Sequence, residues 1–206
     1  MNLTRRTALS LAGASALAPA LAPSVAWAGQ VPYTETPRIL GSDKALVTVL
    51  EFFSLTCPHC GEFATYTMPQ IKTKLIDTGK LRFVYHDFPL DQIALKAAQV
   101  SRYMPQTEYY PFVEALFASQ NDWAFQEGEN YHDRIFKYAA LAGMDQATYD
   151  KAWNDEALGT WILAGQQRDE KNYGIDATPT FIVNGLKHAG AMDYATFEAL
   201  VIKAGG

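Results

Sequence analysis

The chain has 206 residues, 49% of them apolar and 19% charged, with 14 Gly, 10 Pro and two Cys. That composition fits one globular domain, or one domain carrying an insertion, and excludes collagen, coiled coil and wholesale disorder. The net charge of −5, with no long Lys/Arg run to hold a phosphate backbone, excludes nucleic acid as a partner, and two Cys cannot fill a multi-bridge scaffold or a four-thiolate zinc site.

Residues 1–28 have the character of an export signal. Arg5 and Arg6 give a positive start, an Ala/Leu-rich stretch runs from Ala8 to Val25, and Ala26-Trp27-Ala28 is a small-x-small cleavage pattern. Pro19, Pro23 and the high alanine content make the stretch a poor membrane span. A cleaved signal peptide is therefore expected over an uncleaved anchor. Thr4-Arg5-Arg6-Thr7-Ala8-Leu9 also resembles a twin-arginine signal, although Ala8 stands where a large apolar residue is usual. The route, Sec or twin-arginine, stays open. Losing Arg5 and Arg6 takes the net charge from −5 to −7. The mature chain, 29–206, is expected outside the cytosol, where disulfides persist.

Residues 29–44 contain Pro32, Pro37 and a Gly41-Ser42-Asp43 turn signal, and read as an irregular lead-in with one short edge strand. Residues 45–53 are β-branched and aromatic and predict a buried strand. A helix is expected over 58–76, kinked at Pro69 and stopped near Gly79, followed by a second strand over 81–88. From about 91 to 171 every periodic segment reads helical: 91–103, 109–119, 131–141, 146–154 and 155–173, with a loop over 121–130 and Gly174 suited to a helix end. Asn184-Gly185 between two short apolar runs is a hairpin signal. A last helix over 193–204 has Asp193 as its N-cap. The order is α/β with an all-helical insertion.

Both cysteines lie in Cys57-Pro58-His59-Cys60, after a strand and at the mouth of a helix. Free N–H groups and the dipole there favour an anion, so Cys57 can ionise below its free pKa. Pro58 is tolerated in a first turn, where its missing N–H has no intrahelical partner. His59, if protonated or donating toward sulfur, would add to the effect. Cys60 lies about one turn on, able to close a small disulfide or to resolve a mixed one. A zinc pair would want a second pair, and none of the four His has ligand spacing to it. Covalent haem would want His after Cys60, where Gly61 stands. A structural disulfide closing so short a loop would stabilise little. The chemistry indicated is redox, with no metal and no organic cofactor.

Val49-Leu50-Glu51-Phe52-Phe53-Ser54 followed by Cys57-Pro58-His59-Cys60 resembles the active-site segment of the DsbA family, periplasmic dithiol oxidases with a thioredoxin fold. Thr178-Pro179-Thr180-Phe181-Ile182-Val183-Asn184-Gly185 resembles that family's cis-proline segment. The resemblance implies a thioredoxin fold with the helical insertion about 91–171, an acidic Cys57 thiol and an oxidising couple. On residue type alone the Thr178-Pro179 bond would be trans; the motif implies cis, with backbone groups turned toward a substrate strand. Glu51 is a lone carboxylate in an apolar strand, so it is either buried with a raised pKa or paired, or it faces solvent at an edge. The resemblance implies a proton relay from it to Cys60. The residue before the proline differs between oxidases and isomerases, and Thr occurs in both, so Thr178 leaves the direction open.

These readings together predict a monomeric periplasmic oxidoreductase that donates a Cys57–Cys60 disulfide to newly exported protein thiols and is reoxidised by a quinone-linked membrane protein. A reductase or isomerase, and a peptide-binding chaperone module, are the alternatives. Tyr109, Tyr110, Trp123, Phe125, Trp153 and Trp161 could line a groove but are read as core. His86-Asp87 is read as a strand cap.

Overall fold

The structure is a computed structural model and describes residues 36–126, 128 and 130–205. The expected signal peptide lies outside the described residues. Apolar, β-branched and aromatic runs form a five-stranded sheet from β1 (Arg38–Leu40), β2 (Val47–Phe53), β3 (Leu81–Asp87), β4 (Thr180–Val183) and β5 (Leu186–Ala189), in the order β1-β3-β2-β4-β5. β2 and β3 run parallel, while β1, β4 and β5 join antiparallel. β1 is the expected short edge strand. Asn184 and Gly185 both take positive φ, 49° and 79°, as a tight hairpin between β4 and β5 requires.

The crossover from β2 to β3 is a bent helix rather than a simply kinked one. α1 (Pro58–Glu62) passes through a wide π turn at Phe63–Thr67 into α2 (Met68–Ile71), then into a second π turn at Lys72–Ile76. Pro69 has no N–H to give. The register skip before it lets the Met68 N–H reach the Phe63 carbonyl, so the disturbance spreads along the helix.

Between β3 and β4 come α3 (Gln92–Arg102), α4 (Gln106–Ala118), α5 (Gln120–Trp123), α6 (Tyr131–Leu141), α7 (Gln146–Trp153) and α8 (Glu156–Tyr173), and α9 (Tyr194–Lys203) closes the chain. Side chains of Asp91, Asp145, Asp155 and Asp193 each accept an N–H in the first turn of α3, α7, α8 and α9. Gly174 ends α8 in the left-handed region, at φ 64°. The sequence reading is corrected at two places. α4 starts at Gln106 rather than Tyr109, with Pro105 ahead of it, and the stretch expected as loop from residue 121 opens inside α5.

The alternation of a strand places Val47, Val49 and Phe53 in the main core, beneath the helix over 58–76 and α9. Phe52 packs on the other face with Phe88, Ile175 and Ile182. Tyr109, Tyr110 and Trp123 are buried core, and Trp153 and Trp161 pack against its margin; Phe125 alone of the six is 48% exposed. Among the described residues no helix is long and apolar enough to cross a membrane.

Candidate active site

β2 runs out at Phe53 and the chain turns through residues 54–57 into α1, which places Cys57 just ahead of the helix, in extended backbone, with Pro58 in the first turn. Both cysteines are free thiols and both are buried, Cys57 at 5% exposure and Cys60 at 0%. Thr178 and Pro179, far along the chain, come to face them. The Thr178-Pro179 bond is cis, and the Cys57 Sγ–H donates to the Thr178 carbonyl at 3.3 Å. The Thr178 hydroxyl is buried without a hydrogen-bond partner.

The two sulfurs differ sharply as acids. Cys57 is held down at about 5, first by a hydrogen bond from the Cys60 thiol, then, against the opposing effect of burial, by Thr178 and the backbone N–H groups of Cys60 and His59. Cys60 is pushed well above the ordinary thiol range, chiefly by burial and then by the neighbouring Cys57. Glu51 is 3% exposed, which removes the solvent-facing alternative. Burial, then the charge of Cys57, raises its carboxyl to about 8. His59 is exposed at the start of α1. Its imidazole pairs with Glu62 at 3.1 Å, which together with the charge of Cys57 raises its pKa, and the His59 backbone N–H also reaches the Cys57 sulfur.

The helical insertion braces this loop, which sequence reasoning missed. Gln120 of α5 is buried and its Nε2 donates to the Leu55 and Cys57 carbonyls at 2.8 and 3.0 Å. A Cβ on Gly61 would stand 2.4 Å from the Gln120 Oε1, so this glycine is needed for close approach. Thr56 donates to Asp91, the cap of α3, at 2.6 Å. A buried Gln in a four-residue helix has no periodicity to announce it. His86 and Asp87 do pair, but with distant partners: His86 meets Asp169 at 3.0 Å, and Asp87 accepts from the buried Arg102 at 2.5 Å.

A family model described as thioredoxin matches residues 33–203. The chain belongs to the thioredoxin family. Within it, the crystal structure of alpha-DsbA1 from Wolbachia pipientis is 32% identical with a TM-score of 0.77, over 83% of this chain and 91% of that one. Oxidised BdbD from Bacillus subtilis is 25% identical with a TM-score of 0.72, over 82% and 92% of the two chains. A Rickettsia conorii protein named as a protein-disulfide oxidoreductase is 29% identical over 171 residues, or 82% of this chain; the match spans 61% of that relative's length. The resemblance to the DsbA family and the thioredoxin fold with a helical insertion both hold. This thioredoxin-family chain carries Cys57 and Cys60 as a pair with two residues between them at the start of α1.

Proposed function

We propose that this protein is a periplasmic thiol:disulfide oxidase that passes a Cys57–Cys60 disulfide to newly exported proteins. The observation that carries the reading is the split between the two sulfurs, with Cys57 near 5 and Cys60 far above the ordinary range. A stabilised Cys57 thiolate favours the reduced dithiol and so makes the disulfide a strong oxidant. A substrate thiolate attacks Cys57, the S–S bond breaks, and Cys60 leaves with the electron pair. Because Cys60 is so weak an acid in its buried place, it takes a proton as it leaves, and Glu51, neutral below about 8, is the acid beside it. A second substrate thiolate then attacks the substrate sulfur of the mixed disulfide and expels Cys57 as a stable thiolate. The two electrons rest in the dithiol until a reoxidant removes them, and the family resemblance supports a quinone-linked membrane protein for that step.

The Thr178-Pro179 segment against Cys57 provides the backbone ledge for the substrate strand. One turn along the helix, a groove of about 310 Å³ bordered by Tyr66, Thr67 and Met192 is open for the rest of an extended peptide. The signal pattern at 1–28 supports export.

The test is the equilibrium of the purified mature protein with glutathione, with the Cys57 thiolate titrated in the same sample. A couple more oxidising than glutathione, with Cys57 ionising near 5, is expected. A couple near that of a thioredoxin, with Cys57 ionising near neutrality, would make the protein a reductant and overturn the reading. Glu51→Gln should slow the release of Cys60 by about a hundredfold, the low end of general acid catalysis, while the fold persists. Unchanged exchange kinetics in that variant would remove Glu51 from the mechanism.

A further inference from the structure

The sheet face turned away from the main core carries a cleft that the thiol chemistry does not use. Leu50 of β2 and Arg82, Val84 and His86 of β3 point to this face, because residues two apart in a strand share a side. α8 packs over them and leaves a cavity of about 330 Å³, within the size range of small-molecule sites. Leu50 and Val84 floor it, and Trp161 and Ile162 of α8 form an apolar wall. Gly165 keeps the gap open: a Cβ there would meet only the Arg168 guanidinium, at 3.6 Å.

The charges around the cleft run against those of the chain. The protein has 22 acidic residues and 17 basic ones, yet Arg82, Arg102 and Arg168 line the cleft against only Asp87 and Asp169. Both carboxylates are already engaged, Asp87 by the buried Arg102 and Asp169 by His86 at 3.0 Å. Arg82, half-buried on β3, and Arg168, exposed on α8, have no ion pair or hydrogen bond among the described residues. A guanidinium held partly out of water without a counterion is costly, and an oxyanion is the group that answers it. Its planar fork matches a carboxylate or a phosphate. The apolar floor and wall beside it suit a hydrocarbon body, which a bare phosphate ion lacks.

We propose that this cleft is a binding site for a small organic acid, with its carboxylate on Arg82 and Arg168 and its apolar body against Val84 and Trp161. The site is separate from the dithiol, since Cys57 and Cys60 pack in the main core. The inference therefore stands whether or not the protein is an oxidase. No bond is made or broken in it. An occupant joins β3 to α8, so binding raises the stability of the folded chain by mass action.

The probe is 2-naphthoate, with 2-naphthamide as its neutral counterpart and inorganic phosphate as the anion without a body. Calorimetric titration of the purified mature protein is read together with the melting temperature at saturating probe. One site is expected. The amide should bind at least about tenfold more weakly for want of the charge-assisted hydrogen bonds, and phosphate at least about tenfold more weakly for want of apolar contact. Arg82→Gln and Arg168→Gln break no ion pair, so both should fold, and each should weaken naphthoate about tenfold. Gly165→Leu puts a side chain into the gap and should abolish both the binding and the melting shift, while the Cys57 titration stays as in the parent. Leucine favours a helix over glycine, so this variant should fold as well. Naphthoate binding that survives all three substitutions lies elsewhere on the molecule and would overturn the proposal. So would equal affinity for the amide, which would make the arginines irrelevant, equal affinity for phosphate, which would make the apolar body irrelevant, or no binding of naphthoate at all.

Discussion

Cys57 and Cys60 are three residues apart and chemically far apart, because their neighbours differ. Cys57 faces donors: the Cys60 thiol, Thr178 and the N–H groups of the first turn. Cys60 faces the interior, beside Glu51. Thr178 is the donor most open to test, since its hydroxyl is buried without a hydrogen-bond partner and Thr178 acts to lower the Cys57 pKa. Thr178→Val keeps the shape and removes the O–H. A hydrogen bond to a charged group is worth ~1.5–3 kcal/mol, and ~1.4 kcal/mol is one pH unit. The Cys57 midpoint should therefore rise from about 5 by about one to two units, read by thiolate absorbance against pH. A midpoint that stays put would show that backbone and Cys60 donors suffice. Gly61 carries a second prediction. Gly61→Ala brings a methyl to 2.4 Å from the Gln120 Oε1 and must displace the side chain that holds Leu55 and Cys57. Loss of about 1–3 kcal/mol of stability is expected for a buried hydrogen-bonded group forced out of place, measured by urea unfolding. Gln120→Ala in the Gly61→Ala background should recover part of it.

Among the elements, the strands, most helices and the caps follow from patterns within a few residues of each other: β-branched runs, Asp before a first turn, Asn-Gly in a hairpin. What escapes such patterns is contact between elements. Arg38 on β1 is 1% exposed, donates to the Arg102 carbonyl at 2.6 Å and lies over the Tyr109 ring. Arg102 on α3 is bound by Asp87 at the end of β3. Two buried arginines thus share one carboxylate's neighbourhood, tying the edge strand, the central sheet and the insertion together. Asp87→Asn leaves that positive charge without its counterion. Breaking a buried pair from one side costs about 3–5 kcal/mol, so the urea midpoint should fall substantially, in oxidised and reduced protein alike. A shift under about 1 kcal/mol, the range of exposed pairs, would show that water reaches the cluster.

At the scale of the molecule, the ionisation of Cys57 links redox state to stability. Its pKa in the folded dithiol form, about 5, lies below the ordinary thiol value of 9.0. A lowered pKa means the folded state binds the proton less tightly than the unfolded chain. The thiolate's contribution is therefore absent below about pH 5, grows as pH rises, and is complete above the unfolded value near 9. The disulfide form has no such group. The stability of the dithiol form relative to the disulfide form should accordingly increase from about pH 5 toward neutrality. Paired urea titrations of the two forms across that range measure it. Glu51, whose raised pKa works in the opposite sense, is present in both forms, so its effect largely cancels in the difference. A gap that is flat with pH would contradict the low pKa of Cys57.

The sequence by itself determined what depends on neighbours along the chain. It placed the dithiol at the mouth of a helix, set the order of strands and helices, and displayed the two motifs that resemble the DsbA family. It marked Glu51 as anomalous, since a carboxylate amid Val49, Leu50, Phe52 and Phe53 stands out by residue type alone. Only the tertiary structure decided which way these groups face. Glu51 belongs to the buried face because β2 is central in the sheet; in a strand covered on both sides, the apolar run conceals which face each residue takes. The His59 ring pairs with Glu62, and Gln120 crosses from the insertion to the active-site turn. Thr178 meets Cys57 across 121 residues of sequence. Periodicity reports how a segment meets the core as a whole. It carries no information about which atom from a distant segment arrives at which sulfur, and that meeting sets the acidity of each thiol.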